Sequence, residues 1–559
     1  MTTSPGPVQL SPKTPSMAIA DQQRRARVQP SAFYLPLAVG LSAVLAALAA
    51  YSIACIRFAH LGADQSWLLY AASRVLAGYT LDGPRIVESN PPLIVWFSAL
   101  PDLLASWLHA PTLFILKVMV IAMTVASAAW SVRLLRAAKV ITTLPLLCLS
   151  FFAITAVEVS RDLITLGQFS EREQLVVLLA LPYLLYCACG STLKVKTAER
   201  VALGIAAGFG VCLKPQEVLI LITFELFLLL WTRNVRLLLR PELLSAALAI
   251  CVYVLIVFIA TPYFSTIIPV LRDTYWAFAD ASKFSLARIA FLNAKFLVAL
   301  LLAIGVRRYL KYPSAPLALL AASLGAGLAY IQQGMDWGYH LLPATVLFLF
   351  ALGFIALDLL SSHLSSLPAT TQRHPIALAA LTLILFAVSL PRFFARERHQ
   401  VELAEQYRSH LYTLVRQFPP QTPFYVFTTC NGEFFLDVIQ HHLVWTSRYN
   451  HLWMLPAIVE NERASAGGPP ARKHLSPARV AGLATELRSN ITEDLRGGRP
   501  AFVVVEHCNL STPCLGLGNS TFDMLQWFLK SPTFAAEWSH YQPHSTERYF
   551  DVYTRKPSN

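Results

Sequence analysis

Charge is what this chain is short of. Asp, Glu, Lys and Arg make up 14% of its 559 residues, against roughly 25% in ordinary soluble domains, while 55% of the residues are hydrophobic. The apolar excess is gathered into runs near the ~20 residues that cross a bilayer core, which excludes an ordinary soluble globule. Acidic residues are scarcer than basic ones, 32 against 45, for a formal net charge of +13. That excess does not point to nucleic acid, because Lys and Arg held in cytoplasmic loops orient a membrane protein during insertion. The chain also lacks a metal-ligand spacing such as C-x-x-C with partner ligands. It lacks the inverted repeats and interrupted helices common in secondary transporters. The run from Phe33 to Ile56 is too long for a signal-peptide core and lacks a convincing cleavage site, so it reads as a signal anchor.

What is present is a series of about eleven helical spans. The approximate segments are 33–56, 113–131, 140–158, 174–190, 201–213, 217–232, 243–262, 290–306, 315–332, 340–360 and 375–391. The Ser/Pro-rich segment 1–30 is expected to be a disordered cytoplasmic tail. With that tail inside, the cytoplasmic loops hold Arg133, Arg136 and Lys139; Lys194, Lys196 and Arg200; Arg233, Arg236 and Arg240; Arg307, Arg308 and Lys311; and Arg373. Every basic cluster then falls on one side. The segment Pro92–Trp107, with Pro101 and Asp102, reads as a helix dipping into or lying on the outer leaflet, since a crossing there would invert everything downstream.

After Leu390 the character changes. Residues 392–559 are mixed and charged, and they are expected to form a small soluble α/β domain on the outer side, with strands near 424–428, 501–505 and 549–553 and helices near 400–417, 477–496 and 521–530. The fold class is therefore an α-helical polytopic membrane protein (31–391) with a small C-terminal α/β domain (392–559). Of nine cysteines, Cys508 and Cys514 lie six apart in a loop on the presumed oxidising side, and a disulfide between them is predicted. The stretch from Trp445 to Trp453 could stack on carbohydrate, though buried core aromatics are the simpler account.

Polar groups capable of chemistry fall on the side opposite the basic loops. Asp64 opens a short amphipathic helix that closes at Gly78, where it suits an N-cap as well as it suits a catalytic base. Lys214, in Leu213-Lys-Pro-Gln-Glu217, stands between two apolar runs, where a charge either snorkels or has a function.

The order of pieces is more telling. An acidic residue follows the first span, a short helix ends in Leu76-Ala-Gly78, then Glu88-Ser-Asn-Pro-Pro-Leu93 leads into an aromatic-rich helix. This resembles the start of the GT-C superfamily of membrane glycosyltransferases, nearest the branch of protein O-mannosyltransferases and aminoarabinose transferases. The likeness covers roughly residues 33–360 and is strongest over 60–101. It implies Asp64 as catalytic base; where the family often carries Asp-Glu, this chain has Asp64-Gln65. Gly167-Gln-Phe-Ser-Glu-Arg-Glu173 resembles the Gly-Gln-Arg-Glu entry to a span in related bacterial proteins, with two residues inserted. It implies Glu171 as the second acidic catalytic residue and Arg172 as a phosphate contact. Gln332-Gln-Gly-Met-Asp-Trp-Gly-Tyr-His-Leu-Leu-Pro343 is similar to another bacterial GT-C segment. His340 is expected on the donor phosphate with Lys214, and Asn90, Gln333, Asp336 and Tyr339 on substrate; Trp337 and Tyr339 also fit plain interface aromatics.

The expected activity is transfer of a sugar from a polyprenyl-phosphate donor to a lipid, glycan or protein acceptor on the extracytoplasmic face of the inner membrane, with inversion. The N-terminus would be cytoplasmic and membrane lipids would be partners. No cofactor is required by this scheme, although a divalent cation is compatible with it. The rivals are a transporter or flippase and a non-catalytic subunit of envelope polysaccharide export.

Overall fold

A computed structural model describes residues 31–56, 61–159, 169–190, 195–279, 286–335, 337–364, 411–430, 434–518 and 521–557. The expected tail 1–30, the span at 375–391, Asp336 and most of the helix near 400–417 lie outside the described residues.

Hydropathy decides where the chain is helical. The helices are α1 Ser31–Ile56, α2 Ala63–Leu76, α3 Pro92–Leu108, α4 Thr112–Ala137, α5 Leu144–Val159, α6 Arg172–Ala188, α7 Thr197–Leu213, α8 Val218–Thr232, α9 Pro241–Ala260, α10 Ile268–Thr274, α11 Leu286–Val306, α12 Ser314–Gln333 and α13 Leu342–Leu364. Among the described residues, five helical segments are both long and apolar enough to cross a membrane: Thr112–Ala137, Pro215–Thr232, Pro241–Ala260, Ser314–Gln333 and Gly338–Ser361. The protein is thus a helical membrane protein with a smaller C-terminal sheet region. Large apolar side chains exposed along α9, such as Leu248, Leu255, Phe258 and Ile259, mark a face suited to lipid. By contrast α6 is buried from Arg172 to Ala188 at every residue but the half-buried Leu179, so its first-turn charges are enclosed by protein.

Small residues let the helices approach. A Cβ on Gly208 of α7 would sit 2.6 Å from the Ala246 carbonyl oxygen of α9, and one on Gly204 would collide with the Glu242 carbonyl. This four-residue spacing of glycines is a common device for close packing where lipid supplies no hydrophobic drive.

The basic loops converge at one end of the bundle. Lys311 donates to the carbonyls of Ala138 and Lys139, Arg133 pairs with Glu199, and Arg200 pairs with Glu242 at 2.9 Å. Glu225, deep in α8, is not isolated: it pairs with Arg240 and accepts from the Tyr183 hydroxyl at 2.6 Å.

At the other end, loops of the bundle meet the C-terminal region. Its sheet consists of β1 Pro423–Phe427, β2 Val444–Trp445, β3 Phe502–Glu506, β4 Tyr541–Thr546 and β5 Phe550–Arg555 in the order β2-β1-β3-β5-β4. β1 is parallel to β2 and β3, whereas β5 is antiparallel to β3 and β4. The flanking helices are α14 Tyr412–Val415, α15 Phe434–Gln440, α16 Leu455–Ser465, α17 Pro477–Gly498, α18 Met524–Leu529 and α19 Pro532–Trp538. Trp445, Tyr449 and Trp453 are buried, so these aromatics belong to the core and offer no stacking surface. Cys508 and Cys514 are disulfide-bonded.

Candidate active site

The first turn of α2 removes one explanation for Asp64. The N-cap of that helix is Gly62, and no side chain caps it. Asp64 sits inside the first turn, and the expectation that it is the capping residue is corrected. Its carboxylate is directed elsewhere: Oδ2 lies 3.4 Å from Arg172 Nη2 and accepts from the Tyr339 hydroxyl at 3.3 Å.

The loop after α2 is built around Glu88, which is 1% exposed. Asp82, at a left-handed φ of 58°, accepts the Glu88 amide at 3.1 Å. Burial raises the Asp82 carboxyl to about 7, opposed by the hydrogen bond from the Glu88 amide and helped to a smaller extent by the Glu88 charge. Glu88 itself is raised by burial, opposed by the donors around it. Those donors are Trp67 Nε1, Ser89 Oγ, the Asn90 amide at 2.8 Å and Asn90 Nδ2 at 2.7 Å. Asn90 Oδ1 in turn accepts from Arg172 Nη1. Pro91 and Pro92 then set the chain into α3, with Pro at its first turn.

On the neighbouring helices, Lys214 is 4% exposed and pairs with Glu173, so the lysine does not snorkel. His340 Nε2 lies 3.7 Å from the same Glu173 carboxylate, and its ring stands edge-on to Tyr339. Ion pairs therefore join α2, α6 and the α7–α8 break, with His340 of the turn before α13 packed beside them.

A cavity of about 570 Å³ has Ser89, Asn90, Arg172, Lys214, Gln333 and His340 in its polar lining. The apolar part of its wall comes from Tyr253, Val254 and Val257 of α9 and from Tyr263, Phe264, Ile268 and Leu271 of the following turns, with Arg272 beside them. Val254, Phe264 and Ile268 are also exposed. The cavity thus shares α9 with the exposed apolar face of Leu248, Leu255, Phe258 and Ile259. Tyr253 and Tyr263 tie that wall to the loop, the first accepting from the Leu93 amide and the second donating to the Ser89 carbonyl, each at 3.3 Å.

Of the residues expected from sequence, Asn90, Arg172, Lys214, Gln333 and His340 line the cavity, while Asp64 and Tyr339 reach it through Arg172. Gln333 donates to the Ala329 carbonyl at 3.0 Å. Glu171 is buried beside Arg172 with its Oε2 lacking a hydrogen-bond partner, and it does not line the cavity. Sequence reasoning assigned no role to Glu88 or Glu173. Each occupied a quoted motif, and an acidic residue beside an apolar span was the available signal. Among the described residues no group of three or more His, Cys, Asp or Glu is placed to hold a metal ion.

No protein-family model matches the chain, and no curated protein sequence does either.

Proposed function

We propose that this protein is an integral-membrane glycosyltransferase of the GT-C type. It moves a sugar from a polyprenyl-phosphate donor to an acceptor hydroxyl on the extracytoplasmic face, and it crosses the membrane about eleven times with the basic loops in the cytoplasm. The observation that carries this reading is the cavity itself. Its Arg172, Lys214 and His340 suit a phosphate, and its apolar lining includes residues of α9, the helix whose exposed apolar face suits lipid, as a long-tailed donor requires.

The chemistry is a single displacement. The acceptor oxygen attacks the anomeric carbon, the bond from that carbon to the phosphate oxygen breaks, and its electron pair leaves on the phosphate. The acceptor proton passes to Asp64, a carboxylate able to serve as general base. Arg172 and Lys214 offset the charge growing on the phosphate. Arg172 Nη2 faces Asp64 Oδ2 at 3.4 Å. An arriving phosphate competes for that guanidinium and releases the carboxylate for proton transfer, so donor binding prepares the base.

Glycolipid and glycan analysis of a strain lacking the protein tests this reading. A polyprenyl-phosphate sugar should accumulate while one glycosylated product disappears. Wild-type protein should restore the profile and Asp64→Asn should not. An unchanged profile in the deletion strain would overturn the proposal.

A further inference from the structure

We infer that Glu88 is a positioning residue: it fixes the Asn90 side chain and, through it, the Arg172 guanidinium in the polar lining of the cavity. The inference rests on the function proposed above and extends it to a residue outside the cavity lining.

Asparagine presents an oxygen and a nitrogen of nearly equal size, and its partners decide which faces which way. Here Asn90 Nδ2 donates to Glu88 Oε1 at 2.7 Å, so Oδ1 is turned toward Arg172 and receives Nη1. Glu88 is held in turn. Its Oε1 also accepts the Asn90 backbone amide at 2.8 Å and the Ser89 hydroxyl at 3.3 Å, and its Oε2 accepts the Trp67 indole N–H. All of these partners are donors, which suits a group accepting through both oxygens. At its N-terminal side the loop is anchored on the C-terminal region, because the Val87 amide donates to the Arg448 carbonyl at 2.7 Å. Arg448 is itself tied to Asp494 at 2.9 Å.

The consequence is a division of labour across one guanidinium. Nη1 is committed to Asn90, while Nη2 faces Asp64 at 3.4 Å. When the donor phosphate takes Nη2 from Asp64, the hold on Nη1 keeps Arg172 in place.

Glu88→Gln separates this from a general packing role. The glutamine has nearly the same volume but one acceptor oxygen, and its NH₂ must face either the Trp67 indole N–H or the Asn90 donors. The experiment is a double-mutant cycle on the full chain in nanodiscs, with Glu88→Gln, Arg172→Gln and the pair. Thermal unfolding without ligand and binding of undecaprenyl phosphate are both read, with undecaprenol as control. Glu88→Gln should weaken undecaprenyl phosphate binding about tenfold. In the Arg172→Gln background it should add almost nothing, and the two losses in melting temperature should be less than additive. Glu88→Asn and Glu88→Ala should not restore binding. Additive losses in the unfolding cycle, or wild-type binding by Glu88→Gln, would overturn the inference. If the wild type binds undecaprenyl phosphate no better than undecaprenol, the donor reading fails while the unfolding cycle still decides whether Glu88 and Arg172 are coupled.

Discussion

The two ends of the helical bundle are both laced with buried ion pairs, yet they differ in how completely those pairs are satisfied. At the basic-loop end, Arg240 holds Glu225 and lies 3.6 Å from Glu242, Glu242 holds Arg200, and Tyr183 completes Glu225. At the cavity end, Glu171 Oε2, Arg172 Nε, Glu173 Oε2, both carboxylate oxygens of Glu217 and His340 Nδ1 are buried without a hydrogen-bond partner. No atom of Arg200, Glu225, Arg240 or Glu242 is in that condition. A buried charge by itself therefore does not mark a working site in this fold. Unsatisfied polar atoms gathered beside a cavity are the sharper signal, because buried polar groups in finished structural networks are nearly always paired.

The strongest test of that contrast is Asp64→Asn. The amide cannot take the acceptor proton at neutral pH, so transfer should fall by on the order of a hundredfold or more. Because Gly62 is the cap, α2 does not depend on the aspartate for its start. Complementation of the deletion strain, beside the amount of folded protein, reads the result; near-normal transfer would leave the cavity end without its base.

Arg240→Ala should behave in the opposite way. It leaves Glu225 buried without its cation, while Glu242 keeps Arg200; the loss should be about 3–5 kcal/mol, typical of breaking one side of a buried pair. Whatever protein remains folded should bind undecaprenyl phosphate like the wild type. A selective loss of binding with unchanged melting temperature would erase the distinction between the two ends.

Gly208→Val presses the same end from another direction. The new side chain meets the Ala246 backbone, and overpacking of this kind costs typically 1–3 kcal/mol. The melting temperature should fall, with donor affinity of the folded fraction retained.

The mildest effect is a pH dependence. Asp82 has a folded value of about 7 against 3.8 for an ordinary Asp, because burial disfavours its charge. The folded state holds that proton more tightly. Its contribution to stability is thus complete below about pH 4 and is lost as pH rises through 7. Asp82→Asn keeps an acceptor for the Glu88 amide and has no proton to lose. Melting temperature measured across this range should decline less for the variant than for the wild type, and parallel curves would show that Asp82 is not the group responsible.

Much of the fold was readable from the chain. Apolar runs marked the helices of the bundle, and the strands at 423–427, 502–506 and 550–555 fall within one or two residues of their expected places. The short β2 and the irregular β4 gave too little alternation to be seen. The six-residue spacing of Cys508 and Cys514 also sufficed for their pairing.

The site was legible as a set of polar residues, though not as a set of partnerships. Hydropathy and periodicity are local properties, so sequence alone determined which segments are helical and which loops carry cations. Only the tertiary structure decided that Asp64 meets Arg172 and Tyr339, across 108 and 275 residues. It alone decided that Lys214 is held by Glu173, and that Glu88 stands behind Asn90. The physical reason is that a buried charge takes its partner from whichever helices pack beside it, and that neighbourhood is set by close contacts such as Gly204 and Gly208 against α9.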